Sequence, residues 1–209
     1  MEFKFAGQVG ELLESGSLLK QVSALPMALG ATIYVFDIRL ADADRNVYET
    51  LSFRVARHPS ESEEYLLTRV LAYCLEFGEG LAFSSGGLSN PDEPALAIRD
   101  LSGVLKSWIE IGSPEAARLH KASKATPRVA VYVHKDIDQL LARLQGEHIH
   151  RADAIELYAM DRELLTALAA KLQRRMTFDL SIAERTLYVT LGDETLTGDV
   201  KPHRMVSSR

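Results

Sequence analysis

Residues 92–124 read DEPALAIRDLSGVLKSWIEIGSPEAARLHKASK, and their reading decides the fold. Asp100-Leu101-Ser102-Gly103 carries Asp at the first and Gly at the fourth place of a type I turn. Ala95 to Arg99 runs into this turn as a strand, and Val104 to Ile111 runs out of it. The exit strand is apolar on both sides (Val104, Leu105, Trp108, Ile109, Ile111), as in a strand covered on two faces. Gly112 ends it, Ser113 is a suitable N-cap, and Pro114 suits the first position of a helix. Arg118, Lys121 and Lys124 follow on that helix.

The register of this hairpin brings acidic residues together. A two-residue loop sets Glu110 opposite Glu93. A one-residue bulge at Gly103 sets Glu110 opposite Pro94, with Asp92 as the diagonal neighbour on its face. Either way, a carboxylate from Asp92-Glu93 shares a sheet face with Glu110. Opposed side chains lie roughly 5 Å apart. Two carboxylates that close raise each other's pKa unless a cation lies between them. Mg²⁺ or Mn²⁺ suits such a place, since a hard divalent ion takes one or two carboxylates plus substrate phosphate. The following helix N-terminus favours an anion nearby.

This constellation resembles the PD-(D/E)xK nuclease superfamily, in which acidic residues of a hairpin hold the metal and an acid-x-Lys follows. The wording RHPSESEE, DEP, WIEIGSP, RLHKASKA and RVAVYVH, in that order, resembles more specifically the YaeQ family, over roughly Met27 to Leu191. The resemblance implies a restriction-endonuclease-like α/β core with additional hairpins. It also implies a Mg²⁺- or Mn²⁺-dependent nuclease acting on phosphodiesters of nucleic acid. Asp92, Glu93 and Glu110 are the expected metal ligands, with Glu93 and Glu110 also counted as catalytic. Glu64, from the helix before the hairpin, is expected beside them and is also counted as catalytic. Gly112 stands where the motif lysine belongs. The resemblance therefore implies a lysine moved to the helix, Lys121 as the catalytic cation with Lys124 the second candidate. Arg118 and Lys124 are expected to bind substrate. The alternative expectation is a nuclease-fold protein without catalysis, acting as a binding or regulatory module. Net charge −5 and the glycine at position 112 favour it.

The rest of the chain fits a single α/β domain with a mixed sheet and helices on both faces. The chain has 209 residues, 46% hydrophobic and 25% charged, an ordinary globular composition. A protein that coats nucleic acid usually has a basic excess, so any nucleic-acid contact is confined to a local patch. No span reads as a transmembrane helix, and the lone Cys74 fits a reducing, cytoplasmic setting. No sequence feature names a protein partner. Residues 1–26 lack the pattern of a signal peptide and read as an extension ahead of a domain at 27–200. Residues 201–209 read as a frayed polar tail.

In order, 31–40 and 47–57 form an N-terminal hairpin, with Asp42 and Asp44 in its turn. Helix 60–77 starts with a capping box of Ser60 and Glu63 and presents a stripe of Leu67, Val70, Leu71, Cys74 and Leu75. Residues 78–90 read as a connecting loop. Strand 128–134 is expected parallel to its neighbour. Helix 136–144, strand 154–160, helix 161–174 and a hairpin of 177–182 with 186–191 follow. The hairpin 93–111 is expected at the centre of the sheet, packed on helix 60–77.

Overall fold

A computed structural model describes residues 30–84 and 93–205. Among the described residues it holds ten strands in one continuous sheet, four α-helices and a 3₁₀ helix at Ala152–Ala154. The strands are β1 (Thr32–Asp42), β2 (Val47–Arg57), β3 (Leu81–Phe83), β4 (Leu96–Arg99), β5 (Leu105–Ile111), β6 (Arg128–Val133), β7 (Glu156–Met160), β8 (Arg175–Ala183), β9 (Thr186–Leu191) and β10 (Glu194–His203). The helices are α1 (Glu63–Leu75), α2 (Ala116–Ala125), α3 (Ile137–Leu144) and α4 (Arg162–Ala169). The spatial order is β2-β1-β8-β9-β10-β7-β6-β5-β4-β3.

Strand β10 joins two half-sheets. Its first part, Glu194 to Asp199, pairs antiparallel with β9, and its last part, Val200 to His203, pairs antiparallel with β7. The sheet curls around α1 and α4, and residues from both halves share one core with them. Phe36, Ile38 and Phe178 lie on one side, Ile109, Ile111 and Tyr132 on the other, and Leu67, Leu71 and Leu165 between. The curl nearly closes, because Phe53 of β2 meets Phe83 of β3 at 5.4 Å between ring centroids. These are the two edge strands, so aromatic packing substitutes for hydrogen bonds where the barrel would seal.

Burial follows the two kinds of strand. β1 and β8 alternate buried and exposed, with one face to the core and one to water. β6 is buried at five successive residues because α2 and α3 cover its outer face. Ala130 and Tyr132 point inward to α1, while Val129, Val131 and Val133 point outward to Leu119 and Leu140. The expected parallel pairing holds, as β6 runs parallel to both β5 and β7. No helix among the described residues is long and apolar enough to cross a membrane.

Several boundaries differ from expectation. The hairpin of β4 and β5 packs on α1 but stands near one edge of the sheet, with only β3 beyond it. β3 itself occupies part of the expected loop 78–90. The N-cap of α1 is Ser62, whose Oγ accepts from Tyr65 N at 3.1 Å. Glu61 turns inward instead, accepting from His58 N and from Arg69 at 3.1 Å each. α4 stops at Ala169 because the chain must reach β8 at Arg175. The expected tail starts later, since Lys201 to His203 complete β10. The extension expected at 1–26 lies outside the described residues.

Candidate functional site

The hairpin turn forms as its residues dictate. Gly103 N donates to Asp100 O at 2.8 Å, and the Asp100 carboxylate accepts from Ser102 N and Val104 N. Gly103 takes a φ of 83°, which a glycine adopts at no steric cost. A second irregularity follows between Ile98 and Arg99: Arg99 faces Leu105, but Ile98 faces Ser107. Pairing then continues to Leu96 opposite Ile109. Carried one step beyond the last pair, this register would set Ala95 opposite Glu110. The expected registers, with Glu93 or Pro94 opposite Glu110, are each off because neither counted this second bulge. Asp92 lies outside the described residues.

Glu110 points outward, toward α2. It is only 4% exposed. Its Oε1 accepts from the Trp108 indole N–H and from Arg118 Nε, the latter at 2.7 Å. The Arg118 Nη2 donates to the main-chain oxygen of Glu93 at 2.7 Å, and its guanidinium lies 5.7 Å from the Trp108 ring centroid. The Glu93 carboxylate accepts from Ser84 Oγ at 2.6 Å. Burial raises the pKa of Glu110, while the Trp108 bond and Arg118 pull it down. Trp108 was legible as a core residue; its role as a donor to the acid two places along the same strand face was not.

The helix α2 begins later than expected, and this selects its cation. Gly112 has a φ of 91° and its N–H pairs with Tyr132 O, so the chain bends as it leaves β5. Ser113 and Pro114 stay outside the helix. Their carbonyls accept from Arg143, and Glu115 is the N-cap, without a side-chain cap bond. Leu119, Ala122 and Ser123 then face the sheet. Arg118 reaches Glu110, while Lys121 and Lys124 are exposed on the outer side. Arg118 lies one turn nearer the helix start than Lys121, the expected catalytic cation, and makes the contact with Glu110.

Glu64 belongs to the other side of the sheet. It sits in the first turn of α1, where its own backbone N–H, Ser62 and His134 lower its pKa. His134, at the end of β6, is held down to about 4 by burial and by Lys135. Its buried Nδ1 has no hydrogen-bond partner among the described residues. The space between these residues is tight: a Cβ on Gly112 would meet His134 Cε1 at 3.3 Å and the Tyr65 ring at 3.6 Å. Glu93, Glu110 and Arg118 are thus brought together, and Glu64 is not.

Arg118 pairs with the Glu110 carboxylate and ties it to the Glu93 main chain, while the Glu93 carboxylate accepts from Ser84. Among the described residues no three His, Cys, Asp or Glu side chains form a group that could hold a metal ion. With Oε1 of Glu110 bonded to two protein donors, the described residues as arranged are not a ready cage for a divalent ion.

The fold and site define a class: a mixed α/β protein whose nearly closed sheet wraps α1, with a buried Glu–Arg–Trp cluster where β5 passes into α2. The chain belongs to the YaeQ family, whose sequence model, described as YaeQ protein, matches residues 27–200. It is 31% identical over 166 residues to a protein of Escherichia coli (strain K12) described as uncharacterized protein YaeQ, spanning 78% of this chain and 91% of that one. The Salmonella typhi relative of the same description is 30% identical over 165 residues, with the same coverage of 78% and 91%. The crystal structure of the YaeQ protein from Pseudomonas syringae superposes with a TM-score of 0.73 at 32% identity, over 85% of this chain and 97% of that one. The YaeQ protein from Xanthomonas axonopodis pv. citri gives 0.74 at 29% identity, over 84% and 99%.

Proposed function

We propose that this protein binds nucleic acid without cleaving it, on a scaffold related to PD-(D/E)xK nucleases. The observation that carries this reading is Arg118, which bonds the Glu110 carboxylate and the Glu93 main chain. The charge that a catalytic metal would neutralise is already neutralised by the protein. The surface beside it suits phosphate. α2 carries Arg118, His120, Lys121 and Lys124 and no acidic residue between Ala116 and Ala125, and Lys121 and Lys124 are exposed. With a net charge of −5, such contact is confined to this patch and falls steeply with salt.

A metal-dependent phosphodiesterase is the second reading, favoured by the approach of Glu93 to Glu110. In that reading Asp92, Glu93 and Glu110 hold Mg²⁺ or Mn²⁺, which would supply an activated water. Lys121 and Lys124 would meet the substrate. One experiment separates the two. Labelled single- and double-stranded DNA and RNA are titrated with the protein at low and moderate salt, and the same oligonucleotides are incubated with Mn²⁺. We expect salt-sensitive binding, weakened by Lys121→Glu and Lys124→Glu, and intact oligonucleotides. Mn²⁺-dependent cleavage that Glu110→Gln abolishes would establish the second reading. An absence of binding at low salt would sink the first.

A further inference from the structure

At the end of the curl opposite the N-terminus of α1 lies a cavity of about 570 Å³, within the usual range for small-ligand sites. It opens where α1 ends, between the β1–β2 and β8–β9 turns. The floor is polar but closed on itself. Arg128 bonds the Glu76 carboxylate through Nη1 at 2.7 Å and Nη2 at 2.9 Å, and the Glu156 carboxylate through Nε at 3.1 Å and Nη2 at 2.6 Å. Tyr132 Oη donates to Glu76 at 2.7 Å, and Tyr158 Oη donates to Glu156 at 3.0 Å. The two tyrosine rings stack, 5.0 Å between centroids.

We propose that this cavity binds a small organic cation, an amine or guanidine of low molecular weight. Its lining holds four carboxylates against three guanidiniums, and Glu156 stands just behind. Two of the guanidiniums are committed to the walls. Arg128 joins Glu76 and Glu156, and Arg45 joins Asp42 at 2.7 Å while its Nη groups donate to Phe77 O and Cys74 O at the end of α1. The α1 C-terminus adds its negative dipole end, and no basic residue stands in its last turn. An anion entering here would face a surplus of acceptors. Asp42, Asp44 and Glu76 already accept from protein donors, so a cation would find their remaining lone pairs, Glu184 and the face of an aromatic ring.

The protein itself illustrates the contact. Arg185 lies with its guanidinium carbon 5.5 Å from the Tyr158 ring centroid. It belongs to the turn Glu184-Arg185, where both residues have left-handed backbone, φ 51° and 62°. The Asp44 carboxylate fixes that turn by accepting from Glu184 N and Arg185 N at 2.7 and 2.8 Å. The side chain can leave the ring while the backbone stays anchored, so Arg185 holds the ligand's place on Tyr158.

The test uses agmatine, which carries an amine and a guanidine, and inorganic phosphate as the opposite charge. Amide spectra of the full chain are recorded against each. We expect agmatine to cause saturable shifts at Asp44, Arg128, Tyr158 and Arg185, and phosphate to cause none there. Removing the ring with Tyr158→Leu should weaken agmatine about 5-fold, the scale of one cation–π contact. Arg185→Ala should bind agmatine at least as tightly as the unaltered protein. Saturation of these amides by phosphate, unsaturable agmatine shifts, or a Tyr158→Leu affinity equal to that of the unaltered protein would each overturn the proposal. The comparison of the two probes on the unaltered chain stands even if a variant fails to fold.

Discussion

Replacing Arg118 with Ala should be among the most costly side-chain truncations outside the apolar core. The change removes the 2.7 Å bond to Glu110, the 2.7 Å bond to the Glu93 carbonyl, and the packing on Trp108. It leaves a carboxylate of 5% side-chain exposure with the Trp108 indole as its remaining named donor. Breaking a buried pair costs about 3–5 kcal/mol. Arg118 is itself 26% exposed, so water can partly replace it, and about 2–3 kcal/mol is expected. The pH dependence identifies the cause. Burial already raises the Glu110 pKa in the folded protein, and loss of Arg118 raises it further. A raised carboxyl contributes stability that is present below its unfolded pKa and lost as pH rises through its folded pKa. The penalty of Arg118→Ala should therefore be smaller near pH 4 than at pH 7, leaving at low pH the part due to the Glu93 carbonyl and Trp108. Glu110→Gln in the same chain should recover roughly half of it. Urea unfolding at several pH values measures this, with Lys171→Ala, which breaks the exposed pair with Glu194, as a control expected to cost under about 1 kcal/mol. A cost no larger than the control's, or one independent of pH, would refute the buried-pair account.

Other expectations follow from single contacts. Gly198→Ala would drive a Cβ to 2.6 Å from Leu164 Cβ and 2.7 Å from Asp161 Cβ, so forcing α4 off β10 should cost about 2 kcal/mol in urea unfolding. Asp44→Ala strips the acceptor from two amides of the left-handed β8–β9 turn and should cost about 1–2 kcal/mol, with faster amide exchange at Glu184 and Arg185. His134, lowered from 6.5 to about 4, gives stability that is present above pH 6.5 and lost as pH falls toward 4. Because the ring is only part-buried, about 2 kcal/mol is expected rather than the full shift. A His134→Phe variant should lack that slope, and identical pH profiles would remove His134 as its source.

The order of elements was legible because patterns of apolar residues report which faces are covered. RVAVYV, buried on both sides, read as a parallel inner strand, and its partners β5 and β7 bear that out. Asp136 and Asp161 announced their helices and cap them by accepting from Gln139 N and Leu164 N. The curl was not legible. It depends on β10, whose sequence ETLTGDVKPH is short of apolar residues, and on Gly198 allowing α4 to approach. In the candidate site, the hairpin itself was readable, but its register was not, because the second shift between Ile98 and Arg99 leaves no mark in the sequence. Nor was the contact of Arg118 with Glu110, because α2 starts at Ala116 and not at Pro114. The cavity left a fainter trace: Arg128 and Glu156 each open an otherwise apolar inner strand. Charges at such positions have to meet partners, and Glu76 and the two tyrosines are those partners.

The central claim is that Arg118 takes the role a divalent ion would have beside Glu110. Calorimetric titration of the protein with Mn²⁺ tests it most directly, with Glu110→Gln and Arg118→Ala titrated alongside. The account expects no saturable Mn²⁺ heat that depends on Glu110 in the unaltered protein. A one-to-one Mn²⁺ site, present with Arg118 in place and lost in Glu110→Gln, would contradict it.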